Sequence, residues 1–462
     1  MMQAMMLALS RLYQRYRSSI VLVTGSWYLI AALAQRAITL LSYAIFANLL
    51  TAEELGVVAV FNGWVAIFAS VLTFNVAASI TNARFEFDAA AFRRFVSSVL
   101  TLGLIGCALA APVLLLMPES WVDALFGIDR PLVLLAVVAA AAYLPRRVAS
   151  DIWNTNYQHA RYNLVNLLTT VYIILLSIVL ILVPPIFVAA YDRAIGRILG
   201  TVIGYTVFGV VLLGRKLIDG RTLFSRRYWA YALGISLPLI AYTLSRVLVS
   251  RADQLMLNQY MGTAETGVYS LAYQFGEITQ MLFATTNSVW WVWFYRQMSA
   301  QDERFIPRRA HQYALGFAAI NVLLILIGPV LIRALTPQPY WRASAVVPVV
   351  MAGGFFAMLA EFYAGVEFYL KRTTLVAAAM IISAAANIGL NVILLPRYGF
   401  LAAAWTTLVS YALVFVLHAA FVTFVLRKGR LFSFPLLAGL GVAITLLAAV
   451  VFFVAGSATG AL

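Results

Sequence analysis

Thirteen long apolar runs constrain the fold of this chain more than any other feature of its sequence. Each run has about the 20 apolar residues that a helix needs to cross the hydrocarbon core of a bilayer. The runs are continuous rather than alternating, so they predict helices, which satisfy their backbone hydrogen bonds internally. The predicted spans cover residues 20–49, 55–80, 95–117, 132–155, 164–184, 194–214, 229–259, 268–295, 311–333, 344–370, 374–395, 400–426 and 432–456.

The composition is that of a polytopic membrane protein. Hydrophobic residues make up 63% of the 462 residues and charged residues 11%, whereas soluble domains carry about 25% charged residues. The single cysteine, Cys107, excludes an intramolecular disulfide and a thiolate metal cage, and the three histidines lie far apart. A P-loop of the GxxxxGK(S/T) type is absent from the sequence. We therefore predict a non-enzymatic protein with no catalytic residues, metal or cofactor.

The net charge of +15 is explained by where the basic residues lie. If the N-terminus is cytoplasmic, 21 of the 32 Lys and Arg residues fall in inner segments and five in outer segments. Basic residues concentrate on the cytoplasmic side of membrane proteins, where they face anionic headgroups. This asymmetry predicts a cytoplasmic N-terminus and a membrane partner, and it removes the reason to expect nucleic acid.

The predicted connections between spans are short. The longest outer loop, roughly Pro118–Pro131, has about fourteen residues. Such loops leave no room for a folded extramembrane domain. The sequence therefore disfavours a polysaccharide polymerase, a ligase or a membrane glycosyltransferase, which would place catalytic residues on larger outer loops.

Two segments in the first half of the chain are similar to two in the second half. Ala44–Trp64 and Leu255–Phe275 both contain an apolar helix, Thr-Ala-Glu, Gly and then a further apolar helix, and Ala194–Tyr205 is similar to Phe400–Tyr411. The sequence offsets are about 211 and 206 residues, which favours a parallel repeat of two lobes over chance similarity of Ala/Leu/Val-rich helices. The predicted domains are a six-helix lobe with an amphipathic start (1–214), a second six-helix lobe (215–430) and an additional transmembrane helix (431–462).

Four segments carry a resemblance to a known family. They are LLTAEELGVVAV (49–60), GRILG (Gly196–Gly200), SLPLIAYTLSRVLVSRADQLMLNQYMGTAETGVYSLAY (236–273) and ANIGLNVILLPRYGFLAAAWTTLVSY (Ala386–Tyr411). On these segments the chain resembles the polysaccharide or O-antigen (Wzx-type) flippases of the multidrug/oligosaccharidyl-lipid/polysaccharide exporter superfamily. The resemblance spans about residues 1–426 and departs from the family at Arg36, which lies where an uncharged or proline-containing first helix is expected.

The resemblance implies an all-α flippase in the bacterial inner membrane. Its substrate would be an undecaprenyl-pyrophosphate-linked oligosaccharide, such as an O-antigen or exopolysaccharide repeat unit, and polysaccharide polymerase or export machinery would be its partner. The alternatives are a MATE-like drug/cation antiporter, a transporter of another lipid-linked glycan and a scaffold of an export complex. An antiporter for cations would instead need unpaired acids in the first lobe.

Six arginines fall within predicted spans, where a charge costs about 2.5–3.5 kcal/mol on insertion scales. Pairing at i,i+4 accounts for Arg147 with Asp151 and, at the end of a span, for Glu367 with Lys371. Guanidinium suits phosphate, because its planar donor fork binds two oxygens and stays charged. Arg251 points about 140° away from Arg246 and is expected to serve another neighbour or the interface. We therefore predict that four cations line a substrate cavity: Arg36, Arg146, Arg197 and Arg246.

Four further polar residues are predicted to line the cavity or to couple transport to an ion gradient. Arg246 and Asp253 are seven residues apart and share a helix face. Gln274 and Glu277 lie on a polar face of the next span, which serves either as cavity lining or as contact between helices. Glu277 and Glu361 lack an intrahelical basic partner and are the candidates for binding the coupling ion, H⁺ or Na⁺.

The segment Ser288–Met298, SVWWVWFYRQM, is rich in aromatic residues at the end of a predicted span. Trp and Tyr concentrate at the interface between bilayer and water. We therefore predict an interfacial aromatic belt here rather than a sugar-stacking surface.

Overall fold

The computed structural model describes residues 35, 37–183 and 193–460, and in these residues it contains α-helices and no β-strand. The fifteen α-helices are α1 Ala37–Leu49, α2 Ala52–Val71, α3 Ile80–Glu86, α4 Ala89–Leu116, α5 Glu119–Phe126, α6 Arg130–Thr155, α7 His159–Leu182, α8 Arg193–Gly220, α9 Arg226–Met261, α10 Thr263–Gly276, α11 Ile278–Ser299, α12 Ile306–Leu335, α13 Ala343–Tyr369, α14 Thr373–Ala420 and α15 Phe434–Ser457. Among the described residues, ten helices are long and apolar enough to cross a membrane.

Large apolar side chains cover the outer surface of these helices. Leu109 is 64% exposed, Val210 60% and Leu446 63%. A soluble protein rarely exposes apolar residues so widely, whereas a bilayer solvates them. The all-α, multi-pass membrane fold predicted from the sequence is therefore confirmed.

The predicted limits of several spans differ from those of the observed helices. The first window is described only from its end, as α1, and the window 268–295 is divided between α10 and α11 at Gly276. The windows 374–395 and 400–426 correspond to the two parts of α14, which are separated at Gly399, where φ is 59° and ψ is −149°. Hydropathy therefore locates the break near Gly399 but not the one at Gly276, where both sides are equally apolar.

The two Thr-Ala-Glu turns of the predicted repeat contact each other. Thr51 and Glu54 cap α2 with reciprocal side chain–backbone hydrogen bonds, a capping box. A Cβ atom added at Gly56 would lie 1.8 Å from the carbonyl oxygen of Thr263, and one added at Gly267 would lie 1.8 Å from that of Ala52. The contact is reciprocal, as expected of equivalent helices in two related lobes, whose boundaries stay a prediction.

Further hydrogen bonds join the two halves near this crossing. The Tyr340 hydroxyl donates to the carbonyl oxygen of Leu50 at 2.9 Å, and the Asn48 amide donates to that of Leu335 at 2.9 Å. The short helix α5 also bridges the halves, since the Asn258 amide at the end of α9 donates to the carbonyl oxygen of Gly127 at 2.9 Å. This end of the molecule is closed.

The opposite end also has contacts between the halves. The Trp229 indole, near the start of α9, donates to the carbonyl oxygen of Ser98 at 2.9 Å, and Tyr231 packs against Phe87 and Phe95. The nearby N-cap of α4, Asp88, accepts hydrogen bonds from the backbone N–H groups of Ala91 and Ala90, which lower the pKa of its carboxyl. Helix α9 therefore contacts the first half at both of its ends and leaves space beside its middle.

Helices α10 and α13 form the interior of the second half. Ala, Gly and Val dominate α13, and nearly all of its residues are buried. Small residues let membrane helices approach closely, and Gly354 lies against the Thr279 side chain. These helices hold the neighbouring polar side chains in fixed positions.

The prediction of an interfacial aromatic belt is wrong for Trp290, which lies in the protein interior. Trp290 is 9% exposed, and its ring stacks on Tyr313 at a centroid distance of 5.6 Å and contacts Phe362 at 5.0 Å. Trp290 turns inward because α12 and α13 offer it aromatic partners, which hydropathy alone does not reveal.

Candidate functional site

Helix α9 separates two cavities, and each of two faces of the helix lines one of these cavities. Thr243, Val247 and Arg251 follow one another at intervals of four and line the first cavity. Tyr242 and Arg246 line the second cavity. The 3.6-residue period of the helix turns these two sets to different sides.

The first cavity has a volume of about 540 Å³ and is strongly cationic. It lies between α9–α10 and the helices of the first half, and hydroxyl and amide groups make up much of its wall. Its lining holds four arginines and, among the described residues, no Asp or Glu: Arg146, Arg147, Arg197 and Arg251. A cavity of this size can hold a small ligand or the head of a larger one.

Arg146 is held in the cavity wall without a carboxylate partner. Its guanidinium donates to the side-chain oxygen of Asn166 at 2.5 Å and lies over the rings of Tyr143 and Tyr205, at 4.8 and 5.6 Å from their centroids. Its buried Nε has no hydrogen-bond partner within the described part of the chain. Donors of this cation are therefore available to an anion in the cavity.

Arg197, on α8, is the second unneutralised cation. It donates to the hydroxyls of Ser177 at 3.0 Å and Thr201 at 2.9 Å, and its guanidinium lies 4.3 Å from the centroid of Phe46. Neither Arg197 nor Arg146 has a carboxylate within ion-pair distance among the residues that the structure describes. Neutral groups thus fix both side chains and leave their charge uncompensated.

The other two arginines of the first cavity have acidic neighbours. Arg147 forms the predicted i,i+4 pair with Asp151 at 3.1 Å, which confirms that pairing. Arg251 lies over Tyr273 at 5.9 Å and interacts electrostatically with Glu277. These two cations are partly neutralised, so Arg146 and Arg197 dominate the charge of the cavity.

The second cavity, of about 530 Å³, lies within the second half and carries both signs of charge. Arg246, Glu277, Glu361 and His418 contribute to its lining, together with Asn287. Glu361 interacts electrostatically with Arg246 and His418. The second cavity therefore holds acids as well as a cation, in contrast to the first cavity.

Asp253 lies in neither cavity, although it shares a helix with Arg246. Its carboxylate is fully buried and accepts hydrogen bonds from the backbone N–H of Gln254 at 2.9 Å, from the Thr407 hydroxyl at 3.1 Å and from the Tyr269 hydroxyl. Hydroxyl and backbone donors satisfy buried carboxylates without a cation. Asp253 therefore joins α9, α10 and α14 rather than extending a polar stripe with Arg246.

The expected pair between Glu367 and Lys371 is wrong. Glu367 is fully buried, and its Oε2 lies 2.9 Å from Nδ1 of His418, which is itself 2% exposed. Lys371 is exposed just beyond the end of α13. A partner from α14 is available inside the protein, so the acid points inward instead of along its own helix.

The structure distributes the predicted site residues between these places. Arg146, Arg197 and Gln274 line the first cavity, while Arg246, Glu277 and Glu361 line the second. Arg36 lies outside the described residues. No group of three or more metal-ligating His, Cys, Asp or Glu residues occurs in the described ranges.

Sequence reasoning missed the contribution of Arg251 to the first cavity. It lies five positions after Arg246, which turns it about 140° around the helix. This angle could have indicated a second cavity, because two charged faces on one membrane helix require a polar space on each side.

Comparisons with known proteins agree with this architecture. The family described as Polysaccharide biosynthesis protein matches residues 21–296, more than half of the chain. No curated protein sequence matches the chain.

Solved structures share the fold at low sequence identity. The lipid II flippase MurJ in an inward closed conformation has a TM-score of 0.70 and 16% identity, with 93% of this chain and 98% of that chain covered. An inward-facing multidrug resistance MATE family transporter of the MOP superfamily has a TM-score of 0.59 and 15% identity, with 87% and 98% covered. A Vibrio cholerae MATE transporter has a TM-score of 0.55 and 16% identity, with 88% and 97% covered.

Proposed function

The chain belongs to the family of polysaccharide biosynthesis proteins, and we propose that it is a flippase for a lipid-linked glycan. Its substrate would be an undecaprenyl-pyrophosphate-linked oligosaccharide, an O-antigen or exopolysaccharide repeat unit. The protein would move it from the cytoplasmic to the outer leaflet of the bacterial inner membrane. The similarity of its fold to that of a lipid II flippase supports this proposal.

One observation carries the proposal most directly. The first cavity presents Arg146 and Arg197, neither of which has a carboxylate partner in the described part of the chain. A pyrophosphate carries the opposite charge and matches the donor fork of a guanidinium. In this proposal the first cavity holds the pyrophosphate, and the polyprenyl tail stays in lipid.

The proposed mechanism is alternating access. Two lobes, 1–214 and 215–430, would rock against each other about the cavity between them, with residues 431–462 as an added helix. The excess of basic residues in one set of connections supports a cytoplasmic N-terminus. A proton or Na⁺ gradient, acting on Glu277 or Glu361, would drive the cycle, and a polysaccharide polymerase or export complex would take up the product.

The experiment follows lipid-linked oligosaccharide between leaflets of proteoliposomes that contain the purified protein. Arg146→Ala and Arg197→Ala should each reduce flipping about 10-fold or more, because a lost hydrogen bond to a charged group costs about 1.5–3 kcal/mol. Arg304→Ala is the matched control, since Arg304 is 88% exposed outside both cavities. Unchanged flipping in both cavity variants would refute the proposed role of the first cavity.

A MATE-like drug/cation antiporter is the second candidate. The fold similarity to MATE transporters and the presence of Glu277 and Glu361 in the second cavity favour it. It predicts efflux of cationic dyes that depends on these two acids and is indifferent to Arg146 and Arg197. Dye efflux without lipid flipping would identify the protein as a drug/cation antiporter.

A further inference from the structure

Glu367 and His418 form a buried pair on the border of the second cavity. Their side chains are 0% and 2% exposed, and Oε2 of Glu367 lies 2.9 Å from Nδ1 of His418. The other carboxylate oxygen, Oε1, is buried and has no hydrogen-bond partner among the described residues. His418 also contributes to the cavity wall, so the pair connects the cavity with the protein interior.

A carboxylate beside a neutral imidazole carries one net negative charge. The pair becomes neutral when it binds one further proton. With that proton it is either an ion pair or a carboxylic acid beside a neutral ring. Without it, a net negative charge lies buried between α13 and α14. An uncompensated buried charge is costly, whereas a paired or neutral group is tolerated.

The surroundings do not replace that proton. The charged and titratable groups around the pair include, on α9, Tyr242 and Arg246; at the α10–α11 junction, Glu277; on α12, Tyr313; on α13, Glu361 and Tyr363; just beyond α13, the exposed Lys371 and Arg372; and on α14, Tyr411. Glu361 interacts with both His418 and Arg246, so the cation in the cavity wall already faces an acid. The sequence of α15 contains no titratable side chain.

A local irregularity of α14 lies beside the histidine. The helix ends at Ala420, and residues Phe421–Val425 continue it as a π-helix. Such π-segments are rare and concentrate at functional sites. The altered register begins within one turn of His418, on the helix that carries it.

We propose that His418 and Glu367 form a proton-binding site whose occupancy is linked to the hydration of the second cavity. Water in an open cavity stabilises the unprotonated, negative pair, whereas a closed and dry cavity favours the neutral pair. Opening and closing would therefore release and take up one proton. The link to transport rests on the proposed flippase function, but proton binding by the pair does not.

Proton binding can be tested without substrate, because the chain has three histidines. In a His159→Gln/His311→Gln background, His418 is the single imidazole, and ¹⁵N NMR of the protein in nanodiscs reports its protonation. We expect the ¹⁵N signal to change with pH in a scan from pH 5 to 9, and Glu367→Gln to alter that pH dependence, because the carboxylate is the partner of the imidazole. Glu303→Gln, which removes a partly exposed acid paired with Lys428, should leave it unchanged.

An imidazole that keeps one protonation state over this range, or that titrates identically in Glu367→Gln, would overturn the proposal. The exchange His418→Glu/Glu367→His preserves both groups and guards against a folding defect. It should titrate again as a pair, and monodisperse protein with no titration would contradict the inference.

The link to transport is tested in proteoliposomes with a trapped pH-sensitive dye and undecaprenyl-pyrophosphate-linked sugar. Wild-type protein should move protons with the lipid, whereas His418→Gln and Glu367→Gln should move fewer protons for each lipid flipped. Undiminished proton movement in both variants would overturn the inference. If the wild type flips no lipid, the proposed function fails while the NMR result stands.

Discussion

Arg197 shows how neutral groups can position a charge for a ligand. Two hydroxyls and a phenyl ring hold its guanidinium, and none of them neutralises it. We expect Arg197→Lys to keep the charge but lose the two-oxygen donor geometry, because an ammonium binds phosphate as a point charge.

Flipping by Arg197→Lys should therefore fall between that of wild type and Arg197→Ala, measured as initial rates in proteoliposomes. Arg147→Lys is the comparison within the same cavity, since Arg147 is paired with Asp151. Equal rates for Arg197→Lys and wild type would show that charge alone suffices.

The ion pairs of single residues show which contacts the sequence can predict. The pair of Arg147 and Asp151 follows from i,i+4 spacing, and it is present. The partner of Glu367 does not follow from its spacing, because His418 is 51 positions away on another helix. Local rules identify pairs within a helix, whereas packing between helices decides the others.

At the scale of elements, the crossing of α2 and α10 depends on two glycines. Gly56 and Gly267 allow backbone contact where any Cβ would meet a carbonyl oxygen at 1.8 Å. Gly56→Ala should therefore destabilise the protein by about 1–3 kcal/mol, the usual range for overpacking. Its thermal unfolding in detergent should occur at lower temperature than that of wild type.

Gly234→Ala is the matched control for this crossing. Nothing lies within 4 Å of a Cβ at Gly234, which is inside α9, so Ala should be neutral or favour the helix. Equal unfolding temperatures for Gly56→Ala and Gly234→Ala would mean that the crossing relaxes freely.

The sequence predicts a helix where a long apolar run determines it. It does not predict a break that depends on the backbone geometry within such a run. Hydropathy predicts the long spans and the separation near Gly399, but it does not predict the division at Gly276. The two faces of α9 follow from its period, yet the sequence alone does not show that a cavity lies on each side.

For the whole molecule, the closed end between the halves should open during transport. Asn48 and Leu335 lie across this interface and are joined by a 2.9 Å hydrogen bond. In a Cys107→Ala background, Asn48→Cys/Leu335→Cys should form a cross-link that stops flipping, with recovery after reduction. Accessibility of labelled lipid on both sides of proteoliposomes measures the effect.

A cross-link within one half is the control. The Thr81 and Thr155 hydroxyls lie 3.2 Å apart in the first half. Thr81→Cys/Thr155→Cys should leave flipping intact after oxidation. Full activity of the cross-linked Asn48→Cys/Leu335→Cys protein would contradict alternating access through this end.

The similarity of the two Thr-Ala-Glu turns, which contact each other at the α2–α10 crossing, could be recognised in the sequence, although the repeat of whole lobes stays a prediction. The location of charge in space could not, because Arg246 and Arg197 look alike in the sequence but line different cavities. Because Arg197 and Arg246 line different cavities, the proposed function predicts that, of these two, only Arg197 contributes to pyrophosphate binding.

The most direct measurement is equilibrium binding of undecaprenyl pyrophosphate to the protein in nanodiscs, with undecaprenol as the uncharged reference. Wild-type protein should bind the pyrophosphate more tightly than the alcohol by about tenfold or more, equivalent to about 1.4 kcal/mol. Arg146→Ala and Arg197→Ala should abolish this preference, and Arg246→Ala, in the second cavity, should keep it. Equal preference in all three variants, or its loss in Arg246→Ala alone, would contradict a pyrophosphate site in the first cavity.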